Sequence, residues 1–270
     1  MRTTLLSLAF LAGISLTASA QFKIGGKTIN TKKVVGAATD VAKAITLSDT
    51  DIANMSREYI EWMDTHNEVA GPDTEMGARL ERLTKDIKVD GLVLNFKVYN
   101  VIDVNAFACG DGSVRVCGGL MKIMDDNEVM AVIGHEIGHV LHSDSKDAMK
   151  NAYLTSAAKN AAGATSDVVA KLSDSQLGDL GEALVNSTYS QKQERSADDY
   201  GYEFLKSHGK NPWAMALSFQ KLKKLQEEAG AQKSSKLNQL FSTHPDLDAR
   251  IQRMEERATS EGIEKPAVTE

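Results

Sequence analysis

A chain of 270 residues, 42% hydrophobic and 25% charged, can bury a full core and is too ordinary in composition for a disordered segment or a membrane bundle. Its 31 basic and 37 acidic side chains give a net charge of −6 with no basic face or stripe. That balance argues against a nucleic-acid partner and is accounted for by solubility.

The first twenty residues, MRTTLLSLAFLAGISLTASA, stand apart from the rest. A basic start at Arg2, an apolar stretch from Leu5 to Leu16 and the small residues Ala18-Ser19-Ala20 have the layout of a secretory signal cleaved after Ala20. The stretch is shorter than the about 20 apolar residues that span a bilayer, and no later segment is expected to cross one. No cysteine follows the cleavage site to carry a lipid. Residues 21–47 are then an N-terminal segment, and the exported chain, periplasmic or secreted, keeps 30 basic against 37 acidic residues.

TKKVVGAATDVAKAITL and SDTDIANMSREYIEWMDTHNEVAG carry helical periodicity. The second opens on Ser48 with Asp51 three residues later, a capping-box spacing, and stops before Gly71-Pro72. A further helix is expected from about Thr74 to Ile87. The texture then turns to short β-rich runs, LVLNFKVYN, VNAFAC and SVRVC, which predict a small three-stranded sheet. Gly110-Asp111-Gly112 separates the last two. A tight turn over 110–113 sets Cys117 opposite Ala106, about 10 Å along the strand from a partner for Cys109 and beyond the roughly 7 Å limit for a disulfide. A looser loop would permit the bridge, and an exported chain meets oxidising conditions, so the pairing stays open.

Asp125 followed by Glu128 opens the helix that contains VIGHEIGHVLHSD. From Ser143 to about Ser207 helix follows helix, with NAAGATSD as a soft break and SDSQLGDLGEALVNSTYSQKQERSADDYGYEFLKSHG as one long run ended by His208-Gly209. Asn211-Pro212 starts another helix. A last one follows Thr243-His244-Pro245, its proline expected in the first turn. One domain over 48–260 and a flexible tail over 261–270 complete an α+β chain that is predominantly helical.

His135 and His139 project from one helix face a turn apart, a spacing at which two imidazoles converge on one tetrahedral ion. Glu136 beside them can reach water at that ion without binding it, as a general base. Gly138 is costly inside a helix and implies a close approach by something else. His142 shares the face but stands about 10.5 Å along the axis from His135, too far to share its ion. The metzincin pattern is also absent, since His142 and Ser145 occupy the positions where it has glycine and histidine. The third ligand must come from elsewhere. Glu194 and Asp198 are one turn apart, so one carboxylate can bind while the other orients a ligand histidine. Spacing alone equally describes a solvated charged face among Lys192, Arg195 and Asp199. His244 has the chemistry to donate to an oxyanion, or merely precedes a helix; Arg250 on that helix is a weaker candidate. His66 and His208 read as surface residues.

The pieces NAFA at 105–108, HEIGH at 135–139, ERSAD at 194–198 and HP at 244–245 occur in an order that resembles the gluzincin metallopeptidases of the HtpX and CaaX-prenyl-protease family, especially its soluble periplasmic LoiP-type branch. The similarity runs from about residue 50 to 255. The resemblance implies a zincin-type domain with one catalytic zinc on His135, His139 and Glu194, Asp198 as partner of a ligand, and Glu136 and His244 as catalytic groups. It also implies an edge strand on which Asn105, Ala106 and Phe107 contact an extended polypeptide. Many relatives carry arginine where this chain has Gln191, which affects a charge near the site but not the ligands. The substrates implied are misfolded or outer-membrane-associated proteins of the cell envelope, in quality control and in reach of outer-membrane assembly machinery. The competing reading is a non-catalytic zinc-containing chaperone or scaffold, against which the intact Glu136 speaks.

Overall fold

Ser48 caps the first long helix as its spacing predicts: its side chain accepts from Asp51 N, and the Asp51 carboxylate accepts from Ser48 N at 2.9 Å. The computed structural model describes residues 21–24, 27–30, 47–159, 172–229 and 243–267. The signal over 1–20, all but the last residue of the helix expected over 31–47, and the NAAGATSD break lie outside the described residues. Two short strands, β1 (Gln21–Ile24) and β2 (Lys27–Asn30), pair antiparallel. Helix α1 (Asp49–His66) follows, then strand β3 (Val69–Ala70) and helix α2 (Glu75–Thr84), which Thr74 caps.

The main sheet holds β3, β4 (Asn95–Tyr99), β5 (Ala106–Ala108) and β6 (Ser113–Cys117) in the order β3-β4-β6-β5. It therefore has four strands where three were expected, because the two-residue β3 is too short to show periodicity. Strand β6 runs parallel to β4 and antiparallel to β5, leaving β5 at the edge. Every residue of β6 is buried, since the sheet is covered on both faces. Val114 and Val116 join the larger core. The alternate residue Arg115 turns to α1, where Asp64 accepts from its Nε and Nη2 at 2.8 and 3.0 Å. Tyr99 Oη and Lys97 Nζ donate to the same carboxylate, which ties α1 to the sheet.

The β5–β6 turn closes one residue earlier than predicted. Gly112 takes φ +90, Cys109 N donates to Ser113 O, and Cys117 N donates to Asn105 O. Val116, not Cys117, is thus opposite Ala106. The two cysteines are four strand positions out of register, about 13 Å, and both are free and buried.

Helix α3 (Gly118–Ile123), absent from the sequence reading, leads into α4 (Asp126–Leu141). The Asp125–Glu128 capping box opens α4, and every residue from Glu128 to Val140 is buried. Next come α5 (Asp144–Lys159), α6 (Asp174–Val185), α7 (Gln191–Ser207), α8 (Trp213–Ala229) and α9 (Leu247–Ser260). The long run expected over 173–209 is two helices, since Asn186 ends α6 and Ser190 with Gln193 forms a fresh capping box for α7. Pro245 precedes α9 instead of entering it, because Asp246 is the N-cap in a left-handed conformation. The expected tail has contacts as far as Lys265: Trp213 Nε1 donates to Ile263 O, Asn211 Nδ2 to Glu264 O, and Lys265 Nζ lies 3.4 Å from Glu255 Oε1.

Helices α4 and α7 lie unusually close. A Cβ on Gly138 would stand 2.9 Å from Ala197 Cα, and one on Gly134 would stand 2.5 Å from the Phe204 ring. These glycines let the two backbones approach, which is what a glycine inside a buried helix implied.

Candidate metal centre

That approach places the α4 histidines against the carboxylates of α7. His135 Nε2 and His139 Nε2 are 3.1 Å apart, and Glu194 Oε2 and Oε1 lie 3.6 and 3.5 Å from them respectively. His244, delivered by the turn before α9, adds Nδ1 at 3.2 Å from His135 Nε2 and 2.9 Å from Glu194 Oε1. One ligand atom from each of these four buried residues falls within 4.8 Å of all the others.

The surroundings set the tautomers. His135 Nδ1 faces Asp198 Oδ1 at 2.9 Å, and His139 Nδ1 faces Asp144 Oδ2 at 2.9 Å. Each Nδ1–H donates to its carboxylate, so in the neutral rings both Nε2 atoms carry lone pairs, turned toward the same cluster. Two lone pairs at 3.1 Å repel unless a cation lies between them. Two nitrogens on one tetrahedral zinc, each at about 2.0–2.1 Å, would stand roughly 3.3 Å apart. The donor set therefore fits a divalent metal of the zinc type.

Arg250 holds the carboxylates. It donates to Asp198 from Nε at 2.9 Å and from Nη2 at 2.6 Å, while Nη1 lies 2.5 Å from Glu194 Oε2. Its guanidinium rests on the Phe219 ring, 4.2 Å from the centroid. Burial opposes the charge on Asp198, but the Arg250 charge and the His135 hydrogen bond outweigh it and hold the carboxyl below its ordinary range. Glu194 is likewise held far down despite its burial, by His244 and His139. Burial alone would lower His139, yet hydrogen bonds to Asp144 and Glu194 push it up to about 9, so without a metal a proton on Nε2 takes the place of the cation.

Glu136 is 2% exposed, and its Oε1 has no hydrogen-bond partner among the described residues; His244 Nε2 is 3.7 Å away. A buried carboxylate oxygen left without a partner is costly unless something else uses it. Asn105, Ala106 and Phe107 line one cavity together with Glu136 and His244, so the edge strand and these two groups share a cleft. His142 caps the end of α4 and is exposed, apart from the cluster. Gln191 donates to Asp246 Oδ2 at 2.5 Å, beside the turn that delivers His244.

Two residues of the site escaped the sequence reading. Asp144 looked like any acid at a helix start. It becomes the partner of His139 because Ser143 takes φ 65 and folds α5 back onto α4. Tyr189 fell inside the supposed long helix; it sits in the α6–α7 link and stacks on His139 with ring centroids 3.9 Å apart. Arg250, a weaker candidate from the sequence, holds both carboxylates of α7. Burial keeps both thiols protonated, with Cys117 pushed up to about 12, so neither cysteine is placed as a nucleophile.

Comparison with known proteins gives the same answer as the geometry. Residues 72–258 match the model of peptidase family M48. The chain is 39% identical over 241 residues to the metalloprotease LoiP of Escherichia coli K12, covering 88% of this chain and 93% of that protein. It is 37% identical over 262 residues to the metalloprotease YcaL of the same strain, covering 96% and 99%. A protease HtpX homolog of Bacillus licheniformis is 32% identical over 189 residues, or 58% of this chain and 61% of that protein.

Proposed function

The chain belongs to peptidase family M48 and is a metallopeptidase, and on that footing we propose that it is a zinc-dependent endopeptidase of the cell envelope whose metal is held by His135, His139 and Glu194. The observation that carries the ligand set is the pair of Nε2 atoms 3.1 Å apart beside Glu194, with both Nδ1 atoms engaged by Asp198 and Asp144. Zinc bound there would act as a Lewis acid toward water and the scissile carbonyl.

The remaining chemistry belongs to the chain. Glu136, buried and with one oxygen free, takes a proton from the attacking water and returns it to the leaving amine. His244 Nε2, on the Glu136 side of its ring, donates to the oxyanion that develops at the carbonyl. Its Nδ1 also lies inside the donor cluster, a position that would suit a fourth ligand when no substrate is bound. Arg250 and Asp198 hold Glu194 and His135 in register. An extended polypeptide pairs with β5, whose outer edge has no strand partner among the described residues, with Asn105, Ala106 and Phe107 along it.

Export rests on the signal-like first twenty residues, and among the described residues no helix is long and apolar enough to cross a membrane. Misfolded or outer-membrane-associated proteins are the substrates, with outer-membrane assembly machinery as the partner. The scaffold alternative is set aside, because family membership and the buried, unpaired Glu136 oxygen favour catalysis.

Casein cleavage by the chain starting at Gln21 and by Glu136→Gln, with zinc content measured in both, tests the assignment. Activity is expected only in the parent, with similar zinc in the two. Equal activity in both, or none in either despite bound zinc, would sink it.

A further inference from the structure

The entry into α7 places one more side chain at the metal centre. Ser190 is the N-cap, so Glu194 is the fourth helical residue and Tyr189 the residue before the cap. An apolar residue before a cap ordinarily packs on the fourth position and fixes the angle at which the chain enters the helix. Here the fourth position is a buried carboxylate whose Oε1 lies 3.5 Å from His139 Nε2. The Tyr189 ring stacks on the imidazole next to that carboxylate, with centroids 3.9 Å apart and 13° between the planes.

The stack supplies what the hydrogen bond to His139 does not. Asp144 at Nδ1 selects the tautomer and the direction of the nitrogens within the plane of the imidazole. A hydrogen bond tolerates about 30° of bending, so it leaves the plane free to rock about the Cβ–Cγ bond. Rocking would carry Nε2 away from Glu194 and His135. A near-parallel ring at 3.9 Å meets the whole face of the imidazole and resists that motion.

The main chain of Tyr189 reaches another part of the site. Its N–H donates to Thr243 O at 3.0 Å, one residue before His244, and the Tyr189 and His244 ring centroids are 5.1 Å apart. One residue thus touches the α4 histidine and the turn that delivers His244, and leads into the helix that carries Glu194.

We propose that Tyr189 is a positioning residue of the metal centre, whose ring sets the tilt of His139 while its N–H ties the His244 turn to the start of α7. The proposal rests on the ligand set given above and adds a residue that holds a ligand without being one. It assigns the effect to the flat face of the side chain, so phenylalanine can replace tyrosine here and leucine cannot.

The test loads the chain starting at Gln21 with cobalt(II) in place of zinc, because the visible bands of bound cobalt report the geometry of its ligands. Cobalt spectra, zinc affinity by chelator competition and urea unfolding of the metal-free protein are measured for the parent, Tyr189→Phe and Tyr189→Leu. Tyr189→Phe is expected to keep the parent's bands and its zinc affinity. Tyr189→Leu, apolar but without a ring, should shift the bands and bind zinc about 10- to 100-fold more weakly, while still unfolding cooperatively. Tyr189→Met, whose flexible side chain fills irregular gaps, should match Tyr189→Leu and takes its place if the leucine variant does not fold. Parent bands and affinity in the leucine or methionine variant would overturn the proposal, since apolar bulk would then suffice. A loss in Tyr189→Phe equal to that in Tyr189→Leu would also overturn it, by assigning the effect to the hydroxyl. A parent that takes up neither metal would sink the ligand set and this proposal together, an outcome distinct from any difference between parent and variants.

Discussion

His139 Nδ1 meets Asp144 Oδ2 at 2.9 Å across a turn made by the left-handed Ser143. The contact converts the end of one helix and the start of the next into a device that fixes the ring of His139. It also directs the His139 lone pair at His135 and Glu194. A carboxylate on the far nitrogen of a ligand histidine sets its tautomer and raises its basicity.

Removing that carboxylate should loosen the metal without touching a ligand. Asp144→Ala is expected to lower zinc affinity about 10- to 100-fold, measured by competition with a chromophoric chelator. Asp144→Asn, whose side-chain oxygen can still accept from Nδ1–H, should lose less. Equal affinity in all three proteins would take the metal centre out of Asp144's reach.

The α4–α7 contact makes a second prediction. A methyl group at Gly138 would stand 2.9 Å from Ala197 Cα and 3.1 Å from Ala197 O, backbone atoms that cannot swing aside. Gly138→Ala should therefore cost about 1–3 kcal/mol in urea unfolding, even though alanine is the better helix former. Pushing α7 outward also carries Glu194 away from the histidines, so zinc affinity should fall with stability. A variant as stable as the parent would mean that the two helices are free to part.

Much of this was legible in the sequence, and the limits have physical causes. The capping boxes at Ser48 and Asp125 and the His135–His139 spacing are local patterns, and local hydrogen-bond geometry realises them directly. Glu194 and Asp198 could be paired with each other by spacing, but their approach to α4 depends on Gly134 and Gly138, a tertiary contact that no local period encodes. Asp144, Tyr189 and Arg250 reach the site through a left-handed turn, a helix break and a long-range clamp. Cys109 and Cys117 were misaligned by one residue because Gly112 closes the hairpin early, and a single step in register moves every partner.

Arg250 is expected to matter most when no metal is present. It is the cation between Glu194 and Asp198, and all three side chains are buried. Deleting one member of such a group leaves charge uncompensated in the interior, at a cost of about 3–5 kcal/mol. Arg250→Ala should show that loss in urea unfolding of the metal-free protein. Arg250→Lys should recover only part of it, since an ammonium cannot reproduce the fork that spans Asp198. Saturating zinc supplies another cation and should narrow the gap between parent and Arg250→Ala. A gap that zinc leaves untouched would show that Arg250 acts by packing on Phe219 and not through the carboxylates.

Asp64 predicts how the fold answers to acid. Burial works against its charge, but hydrogen bonds from Arg115, Lys97 and Tyr99 outweigh burial and hold the carboxyl below its ordinary value of 3.8. A carboxylate with a depressed folded-state pKa adds stability that is fully present above its unfolded value and is lost as pH falls through the folded one. The contribution should thus be intact at neutral pH and should decay below about pH 4, where Arg115, 1% exposed, is left without its counter-charge. Asp64→Asn lacks that counter-charge at every pH and is expected to be about 3–5 kcal/mol less stable at pH 7. Urea unfolding of the parent and Asp64→Asn at pH 7, 4 and 3 provides the check. The difference between them should shrink across the acid series, and a constant difference would mean that Asp64 serves α1 by shape and not by charge.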